Sequence, residues 1–186
     1  MEIDTLIDDL IAREGGFVDH PADRGGPTRW GVTEGTARAA GYRGAMHDYP
    51  RSAAASLYRN RYWLAPRFDS VASRAPRLAA ELFDTGVNMG PAVAVGFLQR
   101  ALTALNRQGR DYADIAADGR IGPRTLAALD AFLDVRGNRA EVVLLKAVEA
   151  MQGERYLRLA EQRPANEAFL YGWLANRLTD PVEGGR

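Results

Sequence analysis

The sequence predicts a mostly α-helical fold with a small β-hairpin or irregular loop near the N-terminus. Three observations carry that expectation. Apolar residues recur at helical spacing through most of the chain. Glycine and proline punctuate those runs at Gly15-Gly16, Gly41, Pro66, Gly90-Pro91, Pro123 and Pro164. One stretch, residues 15–33, holds Gly15, Gly16, Gly25, Gly26, Gly31, Pro21 and Pro27, so no helix runs through it.

The elements follow in order. Ile3, Leu6, Ile7, Leu10 and Ile11 form a one-sided stripe, so the first helix is amphipathic and Gly15-Gly16 ends it as a left-handed cap. "GGFV" and "RWGVT" are a potential short hairpin. Thr33 or Thr36 caps a short helix before Gly41. Residues 51–63 read as one helix stopped by Pro66, and residues 76–89 as another, broken by Gly90-Pro91. A further helix starts at "AVAVGFLQRALTAL". "DGRIGPRT" reads as an Asp-Gly turn followed by Pro123 in the first turn of a helix. Asn138 is the expected cap of a long helix over 139–162, which Pro164 ends. The segment "NEAFLYGWLANRL" is expected to pack back on the core, and the tail "DPVEGGR" to fray.

Composition narrows the function classes. The 24 basic and 24 acidic residues cancel, which gives no bulk field to hold a nucleic acid. Cysteine is absent, which excludes disulfides, thiol nucleophiles and thiolate metal sites. The histidines, His20 and His47, are too few and too far apart for an ordinary zinc hydrolase, which uses roughly two or three at short spacing. No cofactor or metal is expected. The acidic start "MEIDTLIDDL" is unlike a signal peptide, and no run reaches the roughly 18 to 20 apolar residues of a membrane span. Synthesis in the cytosol without a signal peptide is the corresponding expectation.

Glu14 is the residue with most chemical potential. It lies three residues after Ile11 and four after Leu10, on the side of the apolar stripe. Partial burial and the negative end of the helix dipole would both favour a protonated carboxyl there. The two glycines that follow leave room for a substrate. A protonated acid beside an open loop is what general acid catalysis needs. A second carboxylate should come from the loop, with Asp19 and Asp23 as candidates; each is equally readable as the anchor of an Asx turn. Thr28 and Thr33 have hydroxyls that could hold a water between the two carboxyls. The alternative for Glu14 is a solvated residue at a helix end.

The stretch "EGGFVDHPADRGGPTRWGVT" (14–33) closely resembles the Glu-Gly-Gly signature of glycoside hydrolase family 108, a family of phage-type and bacterial muramidases. The matching positions are Glu14, Gly15, Gly16, Phe17, Val18, Pro21, Asp23, Gly25, Gly26, Thr28, Gly31, Val32 and Thr33. "LYRNRYW" (57–63) resembles the family's Tyr-x-x-x-Tyr-Trp element. "LFDTGVNMGPAVAVGFLQRAL", "DGRIGPRTLAAL" and "FLYGWLANRL" resemble the predicted peptidoglycan-binding region that usually follows. The Glu14, Asp23, Thr28 spacing is also similar to the Glu, Asp/Cys, Thr set of phage-type lysozymes, with Thr28 one residue short.

The resemblance implies a lysozyme-like helical fold and cleavage of the β-1,4 bond between N-acetylmuramic acid and N-acetylglucosamine, with Glu14 as the acid. Asp23 and Thr28 are the supporting catalytic candidates. Asp19, Thr33, Tyr62, Trp63 and Asn88 are the substrate-binding ones. Tyr62 and Trp63 are either sugar platforms or core residues, and Asn88 either binds an acetamido group or caps its helix. The implied organisation is a catalytic region at 1–92 and a helical wall-binding region at 93–180, packed as one unit. Peptidoglycan is the expected partner, the expected state is a monomer, and the expected role is holin-dependent lysis by an endolysin. A lytic transglycosylase and a non-catalytic wall-binding or secretion-helper protein are the competing readings.

Overall fold

The structure is a computed structural model that describes residues 3–19 and 26–178. It divides into two compact units, Met1–Ala65 and Pro66–Arg186. The tail 180–186 lies outside the described residues, as do His20 and Asp23.

The first unit is built on α1 (Ile3–Glu14), which packs on α3 (Arg51–Tyr58). The stripe in α1 sets that packing: Ile7, Leu10 and Ile11 are each 1% exposed. Removing side chains of that size from water contributes about 1.5–3 kcal/mol apiece. Gly15 ends the helix at φ 79°, and its N–H donates to the Ile11 carbonyl. Three two-residue strands follow, β1 (Phe17–Val18), β2 (Thr28–Arg29) and β3 (Val32–Thr33), in an antiparallel sheet of order β1-β2-β3. "GGFV" therefore pairs with Thr28–Arg29, while "RWGVT" folds on itself: Arg29 faces Val32 across a two-residue turn. The turn residues Trp30 and Gly31 both have positive φ, 56° and 75°, matching the right-handed twist of a tight hairpin.

Thr33 then caps α2 (Glu34–Ala39) by accepting from the Thr36 N–H. The helix expected over 51–63 is instead two: α3 gives way to a π-helical segment, Arg59–Leu64, closed by an Ala65 N–H to Asn60 carbonyl bond. The wider turn inserts a register change that periodicity alone does not reveal.

The second unit contains α4 (Phe68–Ala72), α5 (Pro76–Met89), α6 (Pro91–Leu105), α7 (Pro123–Arg136), α8 (Ala140–Gln162) and α9 (Glu167–Arg177). Pro76, Pro91 and Pro123 each open their helix, where the missing N–H costs nothing. Helices α5, α6 and α8 pack mutually around Leu78, Leu82, Leu98, Leu102, Leu144 and Val148, all fully buried. Asn138 does not cap α8. It sits in a short 3-10 turn, Gly137–Arg139, and Arg139 occupies the cap position without a side-chain bond. Helix α9 packs on α8, with the Trp173 ring 5.4 Å from that of Tyr156, but none of its residues is buried.

The Asp-Gly turn of "DGRIGPRT" is held from inside. Gln99 of α6, 1% exposed, donates to Asp118, to the Arg120 carbonyl and to Thr125, and accepts from the Gly119 N–H. Both ends of the buried amide are thereby satisfied. Its bond to Asp118, then the Arg120 N–H, hold the Asp118 carboxyl below the usual carboxylate range.

Candidate active site

Glu14 is the last residue of α1, and its side chain is exposed. The partial burial expected from its place on the apolar side is not what the structure shows. Periodicity gives the direction of a side chain, whereas depth depends on what covers it. At the final turn of α1 the described residues leave Glu14 exposed.

The hairpin turn sits directly against this residue. A Cβ added at Gly31 would lie 2.4 Å from the Tyr58 hydroxyl and 2.8 Å from Glu14 Cγ. Gly31 is thus required twice, for its φ of 75° and for the closeness of its neighbours. Tyr58 reaches the turn from α3 and donates its O–H to the Trp30 carbonyl at 3.0 Å. The Trp30 indole N–H donates to the Tyr49 carbonyl at 3.0 Å. These two long-range bonds pin a non-glycine residue at positive φ, a conformation that costs about 1 kcal/mol or more by itself. Burial first, and then the negative charge of Glu14, push the Tyr58 phenol well above its ordinary pKa. Tyr58 therefore stays neutral and keeps its proton for the Trp30 carbonyl.

The other sequence candidates separate. Asp19 is exposed just after β1, and Asp23 lies outside the described residues. Thr28 is half-buried on β2 and donates to the Gly26 carbonyl at 3.1 Å. Thr33 is occupied by capping: it also donates to the Thr36 hydroxyl at 3.0 Å. Tyr62 is half-buried, its ring 5.9 Å from that of Tyr58. Trp63 is 7% exposed, a core position without an open face. Asn88 belongs to the second unit and donates to the Tyr156 hydroxyl.

Sequence reasoning missed Tyr58 and Gly31 as neighbours of Glu14. "LYRNRYW" contained the signal for the tyrosine, but its partner is 28 residues away. It also missed Arg29, whose buried Nε has no hydrogen-bond partner among the described residues and whose guanidinium lies over the Trp30 ring. Phe17, 44% exposed, presents an aromatic face three residues after Glu14. Among the described residues no group of His, Asp or Glu could hold a metal ion, and no helix is long and apolar enough to cross a membrane.

Comparison with known proteins agrees with this architecture. The chain is similar to the structure of Brucella abortus SagA, at 22% identity over 97% of each chain and a TM-score of 0.59, which shows a shared fold. No curated protein matches it. Residues 7–90 match the family model for glycosyl hydrolase 108, and residues 93–178 that of a predicted peptidoglycan domain. Residues 7–90, with the small three-stranded sheet and the Glu-Gly-Gly helix end, are thus a glycosyl hydrolase 108 region, and the chain is a cell-wall hydrolase that also carries a predicted peptidoglycan domain.

Proposed function

We propose that the protein is a muramidase that hydrolyses the β-1,4 bond between N-acetylmuramic acid and N-acetylglucosamine, with Glu14 as general acid. The observation that carries this reading is the placement of Glu14. It is an exposed carboxyl at a helix end, braced by Gly31 and Tyr58, inside the glycosyl hydrolase region. In the protonated form Glu14 gives its proton to the glycosidic oxygen as the bond to the anomeric carbon breaks. A water then adds to the oxocarbenium-like sugar and releases a proton, which leaves a reducing muramic acid end. Asp19 or Asp23 is the carboxylate that stabilises the positive ring or takes that proton. Thr28 gives its own proton to the Gly26 carbonyl, so its oxygen is the side that would accept from the water. Arg29 and Phe17 offer a donor and an apolar face beside it. Asp19, Thr33, Tyr62, Trp63 and Asn88 remain the substrate-binding candidates. Tyr62 is the best placed among them, whereas Thr33 and Trp63 serve the cap and the core.

The proposal includes a catalytic region over 1–92 and a wall-binding region over 93–180, and a monomeric endolysin that reaches the wall after release from the cytosol. The test is digestion of purified peptidoglycan by wild type and Glu14→Gln, with the products identified by mass spectrometry. Reducing muramic acid ends from wild type, falling about 10²–10⁴-fold in the variant, are expected. Anhydro-muramic ends would instead make the enzyme a lytic transglycosylase. Equal cleavage by both proteins removes Glu14 from the chemistry, and no cleavage by either leaves a wall-binding protein.

A further inference from the structure

We propose that the groove between α2 and the α3/π-helical segment is a second subsite, which takes a carboxylate of the peptide stem carried by muramic acid. The identity of the ligand rests on the proposed action on peptidoglycan. Two adjoining cavities, of about 400 and 380 Å³, share Ala40, Leu57 and Asn60 as walls. Tyr42 and Ser56 line one end, Thr36 and Arg61 the other. Together they make an open channel along one side of the first unit.

Charge selects the occupant. Arg61 is the one charged residue in the lining, and no aspartate or glutamate joins it there. Elsewhere in this unit Arg38, Arg51 and Arg59 pair with Glu34, Asp8 and Asp4. Among the described residues no carboxylate pairs with Arg61, whose guanidinium lies over the Tyr62 ring. A planar guanidinium held over an aromatic ring leaves its outer N–H edge for a bidentate anion. Asn60, exposed beside it, adds an amide donor. A neutral glycan chain has no need of a cation, whereas the peptide stem of peptidoglycan carries free carboxylates on a short arm from the muramyl ring.

The backbone provides a second, independent argument. Asn60 and Arg61 both sit in the π-helical segment. Such segments are rare and are found mostly at functional sites, because the wide turn re-aims side chains at some cost in packing. The same segment links the groove to the candidate active site. Arg61 lies over Tyr62, Tyr62 lies against Tyr58, and Tyr58 is beside Glu14 and Gly31. A saccharide at Glu14 could therefore lay its peptide arm along this face.

The test uses the full chain and two soluble ligands, the N-acetylglucosamine–N-acetylmuramic acid disaccharide with its lactyl carboxyl either capped as the simple amide or extended by a tetrapeptide. Neither contains the bond to be cleaved, so calorimetric titration reads binding alone. The peptide-bearing ligand is expected to bind about tenfold tighter, the worth of one charge-assisted pair. Arg61→Gln should abolish that preference without changing affinity for the capped disaccharide, and Arg61→Lys should restore part of it. Circular dichroism of the variants checks that they are folded. Equal affinities in wild type, a preference that survives Arg61→Gln, or no binding of the peptide-bearing ligand would overturn the subsite. Digestion of peptide-stripped glycan by wild type separates the two readings: failure there counts against the muramidase, while cleavage without a peptide preference counts against the subsite alone.

Discussion

Replacing Glu81 with glutamine should change how the stability of the second unit depends on pH. Glu81 lies on α5, facing α8 and α9. Burial, then the charges of Asp84 and Glu149, push its carboxyl from 4.5 up to about 8, against the opposing Thr85 hydroxyl bond and Arg177. Arg177 is itself engaged by Asp84 at 3.3 Å, so it neutralises only part of the acidic cluster. The folded chain thus keeps a proton that the unfolded chain releases at ordinary carboxylate pH. Unfolding then releases a proton, and rising pH favours it. The stabilising effect is complete below pH 4.5 and is lost by about pH 8. At about 1.4 kcal/mol per unit of pH, the loss is about 3 kcal/mol at pH 7 and about 5 kcal/mol above pH 8. Glu81→Gln mimics the protonated acid in shape and keeps an oxygen for Thr85. It should match wild type near pH 4.5 and exceed it progressively towards pH 9, by a Tm difference on the order of 10 °C. Thermal and urea unfolding of both proteins at intervals from pH 4.5 to 9 measures this. Parallel curves for the two proteins would falsify the assignment, as would a wild type that gains stability across that window.

Three further outcomes follow from the packing. Gly31→Ala should cost about 2–4 kcal/mol, because it combines a left-handed φ with a clash against Tyr58 and Glu14; the loss of cell-wall hydrolysis should exceed what the unfolded fraction explains at low temperature. Gln99→Leu should destabilise by about 2–3 kcal/mol, since the buried hydroxyl of Thr125 and the Gly119 N–H lose their shared partner, and a urea titration should show the midpoint falling with little change in slope. Thr33→Ala should cost about 1 kcal/mol through the lost α2 cap and leave cleavage nearly unchanged if capping is its main role; a drop in cleavage beyond tenfold with α2 intact would show that Thr33 also acts on substrate.

Much of this protein was legible in local pattern. The helix over 76–89, the proline start at Pro123, the glycine stop after Glu14 and the threonine cap, placed at Thr33 of the two threonines considered, all depend on residues within one turn of each other. Such features are decided by steric and hydrogen-bonding preferences that act over three or four residues, so the chain carries them in plain order. The Glu-Gly-Gly stretch likewise marked the candidate site before any fold was known.

What only the tertiary structure decided are the questions of depth and distant partnership. Glu14 faces the right way but is exposed, while Trp63 is buried a few residues from an exposed Arg61. Tyr58 meets Trp30 from 28 residues away, and Asn88 meets Tyr156 from 68. The π-helical turn breaks the period from which the helix over 51–63 was inferred. The physical reason is the same in each case. Periodicity records which side of a helix a residue is on, but burial, hydrogen-bond partners and carboxyl pKa values are set by what other segments bring to that side. The sequence by itself determined where Glu14 lies along the chain; the packing of the hairpin and α3 decided what surrounds it.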